Sequence, residues 1–229
     1  MRPLLLIPKE IKSVFYHLTA NILWIILAIL CTQSMARAQA TEVYAGDDRY
    51  GIDLMWYKFI RYEDGNNSPW LFFSRNRANS DYTKSPTLFG STNAISYNFS
   101  NGIGIVSVAS FLNAGVIAKA GVQYVHSTEN TLVFGWLVAD IQEKGGIDMF
   151  VLLRYQPQLM DKWKIFSQCE LFPVYNPKTY ILNAVQRLRL GLRHNAIAGG
   201  IMVDLQQISK DFSAMSSTEN IGLFIRYDF

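Results

Sequence analysis

Hydrophobic and polar residues alternate with a period of two through much of the chain, in blocks of about ten residues separated by turn formers. The last block is the plainest. Ile221, Leu223, Ile225, Tyr227 and Phe229 fall on one face, and Asn220, Gly222, Phe224, Arg226 and Asp228 on the other. Residues 147–156 set Met149, Val151, Leu153 and Tyr155 against Asp148, Phe150, Leu152, Arg154 and Gln156. Along 182–193, Leu182, Ala184, Leu188, Leu190 and Leu192 oppose Asn183, Arg187, Arg189 and Arg193, with Gln186 the exception on the apolar side. Along 197–206, Ile197, Gly199, Ile201, Val203 and Leu205 oppose Asp204 and Gln206. Successive side chains of a strand point to opposite faces, so each block predicts a strand with one oily face. Further strands are predicted at 52–62, 69–78, 87–99, 103–112, 116–126, 131–141 and 163–172.

The connectors carry turn chemistry: Asn101-Gly102, Asn113-Ala114-Gly115, Lys144-Gly145-Gly146, Asn176-Pro177 and His194-Asn195. Only 207–218 and 79–86 read as longer loops. Short hairpins in succession predict an antiparallel meander, since parallel crossovers need longer connections. The blocks number eleven, whereas single-chain bacterial barrels take even numbers. Either 41–50 hides a twelfth strand or one block between 52 and 99 is not a strand; twelve is preferred over ten.

The first 40 residues differ from the rest. Arg2, Lys9 and Lys12 precede a short apolar run, residues 21–31, and Ala38-Gln39-Ala40 fits a small-x-small cleavage site. The run is well short of the ~20 residues that span a bilayer as a helix. Residues 1–40 therefore read as a cleaved signal peptide and 41–229 as one mature domain. Without the leader the chain keeps 17 basic and 17 acidic residues, so no basic field for nucleic acid remains. Only Cys169 then survives of the two cysteines, which excludes an internal disulfide.

Half of the chain is hydrophobic and 14% aromatic, with 17% charged. A soluble sandwich also alternates, but its Greek-key crossovers need longer connections than these. Charges in mid-strand opposite a continuous aliphatic face fit a membrane barrel, which has an apolar outside, a polar inside and aromatic girdles. Tyr155, Trp163, Tyr180, Tyr227 and Phe229 lie at block ends, where girdles belong. The fold class is thus all-β, a single antiparallel transmembrane barrel. With its signal peptide, its all-strand mature chain and its alternating final strand, the sequence resembles bacterial outer-membrane β-barrels. The resemblance implies an outer-membrane location, the lipid bilayer and the barrel-assembly machinery as partners, and a role for Tyr227 and Phe229 in the assembly signal.

For chemistry, the polar faces gather Arg75, Arg77, Lys119, Arg154, Lys164, Arg187, Arg189, Arg193 and Arg226 against Asp148, Glu170, Asp204 and Asp228. This set has nine basic and four acidic groups, an excess of five. It reads either as an ion-pair network filling a narrow barrel or as the lining of a pore that favours a small anionic solute. If paired, Arg187, Arg189 and Arg193 are expected to meet Asp148, Glu170 and Asp204. The function expected is a structural or small-solute channel protein. The alternative is a lipid-modifying or lipid-hydrolysing barrel enzyme; such enzymes pair a histidine with a nearby serine. Ser100-Asn101-Gly102 is similar to a stretch in them, but no histidine precedes it on the same strand. His126 and Ser127 are neighbours on opposite faces, and His194 sits in a turn. No catalytic residue, cofactor or metal site is assigned, because neither a His/Cys cluster nor calcium-loop spacing occurs. Asp47-Asp48 reads as a solvated periplasmic segment near the mature N-terminus.

Overall fold

The structure, a computed structural model, describes residues 39–83, 87–113, 115–142, 145–211 and 213–229. The predicted leader lies outside them except for its last two residues. The strands are β1 (Gln39–Gly46), β2 (Arg49–Arg61), β3 (Asn67–Asp81), β4 (Leu88–Asn98), β5 (Ile103–Leu112), β6 (Gly115–Ser127), β7 (Thr131–Asp140), β8 (Ile147–Tyr155), β9 (Gln158–Met160), β10 (Trp163–Asn176), β11 (Ile181–His194), β12 (Ile197–Lys210) and β13 (Ser213–Asp228). Each long strand pairs antiparallel with its sequence neighbours. β1 closes the ring by pairing with both β2 and β13, from Ala40 opposite Asp228 to Gly46 opposite Gly222. The result is a closed barrel of twelve strands in meander order. The short β9 hydrogen-bonds only to the first residues of β10.

The strand hidden in 41–50 is β1, which begins at Gln39, two residues ahead of the expected cleavage point. The stretches 207–218 and 79–86 are corrected. β12 and β13 pair as far as Lys210 opposite Ser213, past a register shift at Ile208/Ser209, and β3 runs to Asp81. These stretches read as loops because their outward residues, among them Gln207, Ser209, Ser217 and Glu219, are polar. On β12 the apolar band runs from Ile197 to Leu205, about 26 Å at ~3.3 Å per residue, close to the ~25 Å band of outer-membrane barrels. Beyond it the strands continue with polar outer faces. The exceptional Gln186 lies there and donates to Gln207 Oε1 at 3.2 Å.

Gln39, where β1 begins, and Phe229 lie at one end of the barrel, called here the terminal end. The β1–β2 turn, with Asp47 and Asp48, lies at the far end, because β1 carries the chain across the barrel. This corrects its assignment to the side of the N-terminus. Asn220, fully buried, shapes that turn. Its Oδ1 accepts from the backbone N–H of Asp48 and of Arg49, each at 3.0 Å, and its Nδ2 donates to the Arg49 carbonyl at 3.2 Å. A Cβ at Gly46 would sit 2.2 Å from Asn220 Oδ1, so glycine is required there.

Leu188, Leu190, Leu192, Ile201, Leu223 and Ile225 are 47–64% exposed and face outward, as the alternation requires. Tyr155, Trp163 and Tyr227 ring the terminal end and Tyr180 stands at the far end. The inside is divided. Strands β2 to β8 contribute an apolar block to the inner face, with polar groups above and below it: Phe73 on β3 stacks on Phe134 on β7 at 5.3 Å, and Trp136 and Phe150 close the block at 4.9 Å. Opposite walls thus touch through aromatic rings. The remaining side of the interior is charged.

Candidate functional site: the charged side of the lumen

The charged side is built by inward positions of β1, β2, β3 and β8–β13. On β3, Arg75 and Arg77 follow Phe73 two by two onto the inner face, and both engage Asp53 of β2, Arg75 at 2.5 Å. The guanidinium fork of Arg75 also reaches across the interior to Glu170 of β10, with two contacts of 2.9 Å. Arg187 stands 3.4 Å from Glu170 and 3.9 Å from Asp204. Arg189 bonds Glu42 of β1 at 2.8 Å and Asp204 of β12 at 2.6 Å. Arg226 bonds Asp228 at 2.8 Å and lies 3.8 Å from Glu42, and Arg193 reaches Asp228 at 2.5 Å and Gln156 at 3.1 Å. Arg154 donates to Gln168, which donates in turn to Glu170 at 2.7 Å. Lys164, nearest the terminal rim, donates to Asn130 at 3.1 Å. Lys119 stands apart on β6, paired with Asp148 and 3.6 Å from Asp140.

All thirteen predicted lumen residues therefore face the interior. Eleven join in the groups just described through direct ion pairs; Arg154 joins through Gln168, and Lys164 pairs outside them with exposed Glu129 at 3.7 Å. Their expected pairing is corrected at Asp148, which Lys119 takes; Glu42 and Asp228 serve the arginines instead. Sequence reasoning missed Glu42, Asp53 and Asp140, along with Arg49 near the far rim. The three acids belong to the same interior groups as the predicted residues, while Arg49 pairs with Asp48. Asp53 had a signal, its period-two spacing with Met55, Tyr57 and Phe59, but those neighbours are apolar and gave its face no polar marker.

Charges this deeply buried cost several kcal/mol each to desolvate, and only multiple partners offset that. The compensation is incomplete: Arg154 Nη2, Arg189 Nη2, Arg226 Nη2 and Arg187 Nε have no hydrogen-bond partner, nor do Asp140 Oδ1 and Asp148 Oδ1 beside Lys119. Aromatic faces supply part of the compensation. The Arg189 guanidinium lies 5.7 Å from the Tyr44 ring, and those of Arg154 and Arg226 lie 5.9 and 5.6 Å from Phe166.

A small cavity of about 90 Å³ lies toward the far end of this side, among Tyr44, Arg49, Arg77, Asn79, Arg187 and Asp204. The candidate catalytic residues do not assemble. His126 faces outward while Ser127 faces inward, and His194 packs against the Trp163 ring at 4.7 Å. Ser100-Asn101-Gly102 is the β4–β5 turn, where Asn101 Oδ1 accepts from Ile103 N–H and Gly102 adopts φ +84°. Cys169 is a free thiol on the outer face, opposite Leu153 and Leu188.

No family model and no curated protein matches the chain. Among solved structures, the KdgM porin, determined in complex with disordered oligogalacturonate, is 12% identical over 83% of this chain and 98% of its own, with a TM-score of 0.48. The NanC porin is 10% identical over 84% of this chain and 100% of its own, at 0.49. A mutant of the Rhodopseudomonas blastica porin is 10% identical over 83% and 98%, at 0.23. The likeness is one of fold class, a closed antiparallel β-barrel, which the pairing of β1 with both β2 and β13 shows by itself.

Proposed function

We propose that the protein is a small-solute channel of the bacterial outer membrane, whose passage follows the arginine–carboxylate column. The observation that carries this reading is the continuity of the column. Charged and polar side chains succeed one another from Arg49 at the far rim to Lys164 at the terminal rim, beside an aromatic block that offers ions no path. An apolar outer band, aromatic girdles and a ring without open edges suit a membrane barrel. On this reading residues 1–40 are removed on export. The barrel-assembly machinery then inserts 41–229, reading Tyr227 and Phe229.

The column fills its own passage in the conformation described, so conduction requires ion pairs to part. Conductance should be low, and the basic excess should favour anions. Purified protein in planar bilayers across a potassium chloride gradient tests this: small anion-selective steps are expected, and silent membranes containing folded barrel overturn it. A second reading, a structural barrel with a permanently filled interior, is favoured by the burial of Glu170 and Arg189, 2% and 3% exposed. Silent membranes would support that one.

A further inference from the structure

The cavity at the far end of the column is walled partly by members of the ion-pair network and partly by Arg49 and Asn79, which stand outside it. Three guanidinium groups, Arg49, Arg77 and Arg187, meet there with Asp204 as the carboxylate among the lining residues. Three atoms of the lining residues lack hydrogen-bond partners: Arg49 Nε, Arg187 Nε and Asn79 Oδ1. Arg49 Nε faces half-exposed Asp48 at 3.5 Å, Arg49 Nη2 donates to Thr218 Oγ1 at 3.4 Å, and Arg187 Nε stands 3.9 Å from Asp204. Two donors and one acceptor without hydrogen-bond partners thus belong to residues that line one cavity, together with positive charge. Leu88 and Val185 add an apolar patch to the wall.

A water needs about 10–15 Å³ of such space, so the cavity holds a molecule of roughly half a dozen non-hydrogen atoms. Guanidinium groups match carboxylates in geometry as well as charge. An unpaired amide oxygen calls for a donor, which a hydroxyl supplies. We propose that this cavity binds a small hydroxy-carboxylate monoanion. Its carboxylate meets Arg49 and Arg187, its hydroxyl donates to Asn79 Oδ1, and its carbon end lies against Leu88 and Val185. The site deepens the channel reading as a station on the same path. Binding is measured without conductance, so either idea can fail alone.

The probe is sodium L-lactate, titrated calorimetrically into the full barrel in lipid nanodiscs at constant ionic strength. Sodium chloride, sodium propionate and sodium sulfate serve as comparisons. Saturable lactate binding is expected, at least tenfold tighter than propionate, which lacks the hydroxyl. Arg49→Gln should weaken it at least tenfold. Asn79→Asp, which removes no ion pair and sets a negative charge against the carboxylate, should do the same, and it guards against loss of folding at Arg49. Lys162→Gln, in an exposed turn at the terminal end, should leave binding unchanged. No saturable response to lactate, equal responses to lactate and sulfate, or binding that both variants retain would overturn the proposal.

Discussion

At the scale of single residues, neighbours in sequence answer to different solvents. Leu190 is 54% exposed on the outer face and Arg189 is 3% exposed on the inner one. Leu190→Arg puts a charge into hydrocarbon and should cost about 2–4 kcal/mol if the site is near the midplane, read from folding titrations into liposomes. Arg189→Met should cost a similar amount for the opposite reason. Breaking a buried pair costs about 3–5 kcal/mol because the partners stay buried, and Glu42 and Asp204 both lose their closest donor. Combining Arg189→Met with Glu42→Gln and Asp204→Asn should recover most of that loss. An additive triple variant would mean the arginine stabilises by packing alone.

At the scale of elements, the β1–β2 hairpin and the last strand carry separate duties. Asn220→Ala removes three hydrogen bonds to the turn. Stranding the N–H groups of Asp48 and Arg49 should cost about 1–3 kcal/mol, with faster amide exchange at those two positions. Deleting Phe229 should act differently. Its ring packs on Tyr227 at 4.7 Å, at the rim and outside the interior. The amount of barrel reaching the membrane in cells should fall while refolding in detergent is little changed; equal loss in both settings would indicate a packing role. Element boundaries were legible wherever an oily face faced charges, as in β8, β11 and the terminal-end halves of β12 and β13. They were not legible where polar residues covered the outer face of a strand beyond the membrane band, as in Gln207 to Ser217.

At the scale of the whole molecule, the column and the aromatic block decide together whether anything passes. Changing Arg187, Arg189 and Arg193 to Gln removes three positive charges from the column. In a conducting barrel the reversal potential should move toward zero, and wild-type selectivity should fade as salt approaches 1 M, where the Debye length is about 3 Å. In a permanently filled barrel the bilayer stays silent and the unfolding midpoint drops, because Glu42, Asp204 and Asp228 are stranded. Paired measurements of conductance and midpoint separate the two cases. Phe134→Ala tests the other half. Phe134 is fully buried among rings from β2, β3 and β8, and its truncation should cost about 3–5 kcal/mol.

By itself the sequence determined most of the strands and the outward face of each clear block, and it marked thirteen polar side chains for the inward side. The reason is local: a pleated strand turns successive side chains to opposite sides, so ten residues suffice to read a face. It did not determine the faces of β2, because Asp53 shares its side with apolar Met55, Tyr57 and Phe59 and polarity stops marking the interior. The tertiary structure decided that β1 closes the ring, that Phe73 meets Phe134 across the lumen, and which acid holds which arginine. Arg189 and Glu42 are 147 positions apart and meet at 2.8 Å. Only barrel closure brings them together, since their contact depends on the register of every strand between them.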